Sequence, residues 1–160
     1  MTLRLAPISG DRFPAWVARS ISEYAADLVT TGVAAEDAHR RAAESMEEEF
    51  PDASPSDENA VFDLVADDGA IVGYLWVGED HSDDPSAWWV WDVVVDVDRR
   101  GQGHGRAAMQ LAEDYARSHG ALTLGLSVFT FNTAARARYE SLGYETTGSD
   151  AASIKMSKRL

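Results

Sequence analysis

Residues 88–115 read WWVWDVVVDVDRRGQGHGRAAMQLAEDY, and the order of features in this stretch decides the fold. The apolar run Val90 to Val97 carries three consecutive valines, Val93, Val94 and Val95, the β-branched content of a buried strand. Arg99 and Arg100 follow, then glycine at every second position: Gly101, Gly103 and Gly105. Ala108, Leu111, Ala112 and Tyr115 next fall on one face of a helix. A strand, an arginine- and glycine-rich loop and a helix make a layout that holds a pyrophosphate. Successive backbone N–H groups and the positive helix end face the anion, and glycine lets the main chain approach it closely. A charge at an exposed helix end gains only about 0.3–1 kcal/mol, so several N–H donors must act together with Arg100 and Arg106.

Three phosphate-binding patterns compete for this loop. The Walker-type loop ends in Gly-Lys-Ser/Thr, whereas Gly105 is followed by Arg106 and Ala107, so that pattern fails. The strict dinucleotide fingerprint fails because Arg106 stands where its third glycine belongs. Its permissive form fits Gly103, Gly105 and Ala108, yet no acidic residue ends the next strand to take a ribose. The third pattern fits residue for residue. Arg100, Gly101, Gln102, Gly103, His104 and Gly105 form a run that resembles the pyrophosphate loop of the GCN5-related N-acetyltransferase (GNAT) family, Gln/Arg-x-x-Gly-x-Gly/Ala.

A second region carries the same resemblance. Asn132, Ala135 and Tyr139, followed by Leu142, Gly143 and Tyr144, are similar to the family signature N-x-x-A-x-x-x-Y-x-x-x-G-[FY]. The resemblance implies a V-shaped opening between the central strand and the strand beginning at Ala121. Acetyl-CoA would lie in that opening, its pyrophosphate over Arg100 to Gly105 and its pantetheine amides against the backbone of Val93, Val94 and Val95. Asn132 is expected to meet the pantetheine or pyrophosphate; the competing reading is a helix N-cap, which asparagine favours on its own account.

The implied reaction is direct transfer of an acetyl group from the thioester to a primary amine. An alkylammonium of pKa near 10.4 must first lose its proton, at roughly 4–5 kcal/mol at pH 7. Asp92 is the first candidate for the base, with Glu79 and Asp80 behind it; the competing reading of Asp92 is a satisfied strand carboxylate. Tyr139 occupies the position whose tyrosine protonates the departing thiolate in the family, or else it is a core aromatic. A backbone N–H of Val93 or Val95 would polarise the thioester carbonyl. Hydrolase motifs are absent: there is no G-x-S-x-G and no H-E-x-x-H.

The 160 residues suit a single N-acetyltransferase domain, 1–160. The absence of cysteine excludes disulfides and thiolate chemistry, and no metal is expected, since the spacing of His81, Asp83 and Asp84 matches no ligand set. No apolar run reaches the roughly 18 residues of a membrane span, and the N-terminus lacks a signal-peptide core, so a cytoplasmic protein is expected. A formal net charge of −13, with Lys155 and Lys158 the only lysines, argues against nucleic acid as a partner and is compatible with a cationic acceptor. That acceptor is a small-molecule or protein amine, and a homodimer through sheet edges is expected from the family.

Leu3 to Leu5 alternates as a first strand, and Phe13, Val17, Ile21, Tyr24 and Leu28 mark a helix closed by Gly32. A second helix spans about 34–50, with Glu47, Glu48 and Glu49 weakening its last turn. Two strands, 60–66 and 70–77, flank an Asp68-Gly69 hairpin turn, and Gly73 signals a bulge or a close backbone approach. After the central strand and helix come a strand from Ala121, a helix opened by Asn132, and two closing strands. This is an α/β (α+β) fold: a GNAT-type mixed, mostly antiparallel sheet flanked by helices, with a splayed strand pair. Acceptor choice is expected to lie in residues 13–50, the 78–87 loop and the tryptophans Trp76, Trp88, Trp89 and Trp91, some of them core. The competing function is a non-catalytic acyl-CoA sensor or regulatory module; a nucleotide-binding protein stands well behind both.

Overall fold

In a computed structural model, which describes residues 2–160, the chain gathers into two compact units. The smaller, Ile8–Pro55, consists of α1 (Phe13–Thr30) and α2 (Ala35–Glu49). The stripe α1 buries is Phe13, Trp16, Ser20 and Leu28, whereas Tyr24 is 40% exposed. The stripe is turned from the expected one because Trp16 packs with Phe13 and Phe50, ring centroids 5.2 to 5.7 Å apart. The same trio explains why α2 keeps its last turn despite three glutamates at its negative end. Phe50 is buried, and its N–H donates to the Met46 carbonyl at 3.0 Å.

The larger unit holds one seven-stranded sheet. Its strands are β1 (Leu3–Pro7), β2 (Asn59–Ala66), β3 (Ile71–Glu79), β4 (Ala87–Val95), β5 (Thr123–Phe129), β6 (Glu145–Ser149) and β7 (Ser153–Arg159). They lie in the order β1-β2-β3-β4-β5-β7-β6, and every pairing is antiparallel except β4 with β5. The element order expected from the sequence is the one observed; a short 3₁₀ turn, Val97–Arg99, is added after β4. The β2–β3 turn falls at Asp68 and Gly69, and both readings of Gly73 hold. The register shifts beside it, and a Cβ there would stand 1.9 Å from the Val94 carbonyl oxygen.

Two helices belong to this unit, α3 (His104–Ser118) and α4 (Thr133–Ser141). Ala108, Met109, Ala112 and Ala116 of α3 are fully buried in one core with Leu64, Leu75, Val90, Leu124 and Met156. Three alanines on that face let the helix axis come close to the sheet, and the burial supplies most of the stability, roughly 25 cal/mol per Å² of apolar surface. Trp88 belongs to this core. Trp76, Trp89, Trp91 and His81 form a separate aromatic cluster, with centroids 4.5 to 6.1 Å apart.

One polar network is buried alongside. Glu113 accepts a hydrogen bond from the Tyr144 hydroxyl at 3.0 Å and from Lys158 Nζ at 2.8 Å, tying α3 to β7 and to the residue before β6. Removing the carboxylate leaves two donors without a partner, so Glu113→Ala is expected to cost about 2–3 kcal/mol in urea unfolding. Burial, then the Glu113 charge and hydrogen bond, push the Tyr144 phenol above its ordinary value. The folded chain therefore favours the neutral phenol. That contribution is intact below the unfolded value of about 10 and is lost as pH rises through the folded one. Wild type is expected to lose stability above about pH 10 more steeply than Tyr144→Phe, as measured by urea midpoints across the alkaline range.

Candidate functional site

The site begins where the sheet stops being continuous. β4 and β5 pair in parallel from Ala87 with Thr123 to Val90 with Leu126 and no further, although β4 runs on to Val95 and β5 to Phe129. At the parting point β4 carries a bulge: Trp76 of β3 faces Asp92 and Val77 faces Val90, leaving Trp91 as the extra residue. A bulge resets the alternation of faces. Trp91 and Asp92 both turn from the α3 side, and Val93 returns to it, packing on the core. The Asp96 N–H donates to the Val72 carbonyl at 2.8 Å, so by alternation Val93 and Val95 aim their main-chain groups away from β3, into the gap. The Val95 carbonyl is met there by Arg100 Nε at 3.0 Å.

The loop after β4 takes the shape its glycines allow. Gly101 and Gly103 sit at φ +78° and +82°, the left-handed region, and Gly103 is the N-cap of α3. Gly105 serves differently: a Cβ there would lie 2.9 Å from an Arg138 guanidinium nitrogen. Asn132 caps α4, its Oδ1 accepting from the Ala135 N–H at 3.2 Å, so the capping reading holds.

A cavity of about 680 Å³ opens over this loop. It brings together Val93, Val95, Arg100, Gly101, Gly103, His104, Gly105, Arg106, Asn132 and Tyr139. Three residues named from the sequence, Asp92, Val94 and Gln102, are outside its lining. For Asp92 and Val94 the reason is the bulge, which puts them on the other face of β4. Asp92 there accepts a hydrogen bond from the Tyr74 hydroxyl at 2.7 Å. Glu79 and Asp80 are also outside, and Asp80 receives the Ser82 N–H at 2.8 Å within its own loop.

Sequence reasoning missed Arg99, Arg138 and Ser141, which also line the cavity. In a chain of formal net charge −13, the cavity wall holds four arginines and, among the described residues, no carboxylate. His104 is buried, and its Nδ1 makes no hydrogen bond among the described residues. Tyr139 is 8% exposed. Burial pushes its phenol above the ordinary value, the neighbouring Arg138 cation draws it back, and the Asp92 charge adds to the rise. The arrangement can hold a polyanion at the α3 N-terminus and an extended amide-bearing chain along β4, with a neutral phenol beside both.

The comparisons with known proteins agree with this geometry. A profile of the acetyltransferase (GNAT) family matches residues 28–144. The uncharacterized N-acetyltransferase YycN of Bacillus subtilis (strain 168) is 27% identical over 161 residues, covering 100% of both chains. Its crystal structure superposes at a TM-score of 0.86 over 99% of each chain. Streptothricin acetyltransferase of Streptomyces lavendulae is 32% identical over 117 residues, 64% of this chain and 59% of that protein. PaiA N-acetyltransferase of Thermoplasma acidophilum, solved with coenzyme A, shares the fold at 14% identity and a TM-score of 0.70, over 100% of each chain. A profile covering most of the chain, a relative alike from end to end and a sheet that parts over a glycine loop lead to one conclusion: the chain belongs to the acetyltransferase (GNAT) family.

Proposed function

We propose that the chain moves an acetyl group from acetyl-CoA directly to a primary amine of a small molecule or protein, and that residues 1–160 work as one N-acetyltransferase domain. The observation that carries this reading is the cavity itself, four arginines without a carboxylate over the α3 N-terminus of a strongly acidic chain. The family profile extends across both compact units, which supports their working together. When bound, acetyl-CoA supplies an activated thioester and a thiolate leaving group. Every other task falls to this chain.

Backbone N–H groups of residues 101–106 hold the pyrophosphate, with Arg100 and Arg106 beside them. Arg100 is steadied by the Val95 carbonyl, and Arg106 Nη2 donates to Ser141 Oγ at 2.9 Å. Val93 and Val95 offer the edge of β4 to the pantetheine amides, and one of their N–H groups polarises the thioester carbonyl. The amide nitrogen of Asn132, which its capping role does not use, turns to the same ligand. Asp92 is the proposed base. Because it faces the other side of β4, the acceptor amine approaches from that side, opposite the cofactor loop. Tyr139 is the proposed acid, its raised pKa keeping the proton in place until the thiolate leaves. The aromatic cluster around Trp91 offers a wall for the acceptor. The expected setting is the cytoplasm, and a second copy of the chain would pair through an edge strand, β1 or β6.

Calorimetric titration with acetyl-CoA tests the donor site, with NAD as the control. Saturable micromolar binding is expected, and it is lost in Arg100→Ala/Gly103→Ala, where a left-handed position receives a Cβ. Failure of the correctly folded wild type to bind removes the proposal. For catalysis, Tyr139→Phe is expected to lower kcat by more than about tenfold with little change in acetyl-CoA affinity. Since the phenol titrates above its ordinary value of about 10, the wild-type loss of kcat that this group causes belongs above that pH. Unchanged turnover in the phenylalanine variant sinks the assignment.

A further inference from the structure

Three of the four arginines around the cavity are already held. Arg99 pairs with Asp68 at 3.7 Å, Arg100 Nε donates to the Val95 carbonyl at 3.0 Å, and Arg106 Nη2 donates to Ser141 Oγ at 2.9 Å. Arg138 is the exception: among the described residues, its guanidinium makes no hydrogen bond or ion pair. Its neighbour Arg136, by contrast, pairs with Glu140 at 3.0 Å, one turn along α4.

Arg138 is an exposed residue, but its guanidinium turns back toward the loop. It lies against Gly105, with Nη1, Cζ and Nε at 2.9, 3.0 and 3.3 Å from where a Cβ would stand. Gly105 is in the first turn of α3, the positive end of that helix dipole. A cation is disfavoured there, yet the absent side chain leaves a seat that the flat guanidinium occupies. An anion at the α3 N-terminus reverses the sign of that interaction, because it would stand between the helix N–H groups and a planar donor able to form two parallel hydrogen bonds.

We infer that Arg138 is a further anion-binding residue of this cavity, closing from α4 over the pyrophosphate seated at the α3 N-terminus. The inference rests on the acetyl-CoA reading above and adds to it a residue on a different element. A methyl group at 105 would meet only the flexible end of this side chain, which would have to shift slightly.

The test is calorimetric titration of wild type and Arg138→Gln with three ligands: CoA, dephospho-CoA, which lacks the 3′-phosphate, and pantetheine, which lacks both phosphate groups. Arg138 is exposed, so the variant is expected to fold with an unchanged melting temperature. Loss of a charge-assisted hydrogen-bond pair is expected to weaken CoA and dephospho-CoA alike, by about 10- to 100-fold, and to leave pantetheine unaffected. Equal affinities in the two proteins overturn the inference. So does a loss confined to CoA, which would place the guanidinium on the 3′-phosphate, and so does an equal loss for pantetheine, which would mean general damage to the cleft. Should wild type bind no CoA, the donor reading itself falls, and that outcome is distinct from all of these. Arg138→Lys serves as a second variant: retention of charge without the planar fork is expected to restore only part of the affinity.

Discussion

The structure depends on a sheet that is paired on one side of Val90 and open on the other. A strand inside a sheet normally satisfies its backbone donors and acceptors on both edges, and unsatisfied groups in a buried place are costly. β4 departs from this over its last residues: its β3 edge stays paired, while its β5 edge loses its partner after Leu126. The exposed edge is stabilised from several directions. Arg100 takes the Val95 carbonyl, α3 packs its alanine face under the strand, and the Glu113 network ties α3 to β7 on the far side of the gap. The opening is therefore built into the resting fold. Preorganisation of this kind leaves little ordering cost to be met when an extended ligand adds itself to the strand.

Electrostatics follow the same logic. The chain carries a formal net charge of −13, while the loop over α3 gathers arginines and buries an imidazole. Tyr139 in the cavity and Asp92, held by Tyr74 on the opposite face, are separated by the thickness of one strand. The Asp92 charge still reaches the phenol and helps keep it protonated. A donor and an acceptor arriving from opposite faces would meet at β4, and neither would have to pass the other.

Much of this was legible in the residues. The glycines at 101 and 103, the valine run and the Asn132 to Tyr144 signature each reflect a strong local constraint, namely left-handed φ, β-branched packing or helix capping. Those constraints act over a few residues, which is why the order of elements and most of the cavity wall could be read in advance. Contributions from across the fold could not. Arg138 sits beside Tyr139 in sequence and reads as an exposed helix residue until Gly105 is brought against it. The buried stripe of α1 is set by Phe50, which lies beyond the end of α2. The bulge at Trp91 has no glycine or proline to announce it. Its one signal is that strict alternation from Val90 would have put the Asp92 carboxylate into the core beneath α3.

That bulge lets β4 carry one residue more than its ladder needs. Side chains on a strand alternate with period two, so one inserted residue exchanges the faces of everything downstream of it. With Trp91 present, Trp88, Val90, Val93 and Val95 share the cavity side despite the odd interval between Val90 and Val93. Deleting Trp91 or Asp92 would restore a regular ladder in which an even interval separates Val90 from Val93, so the valines would keep their faces. What would go is the second outward side chain, the Trp91 ring or the Asp92 carboxylate. The extra position therefore adds a group to the outer face of β4 without disturbing the face beneath α3.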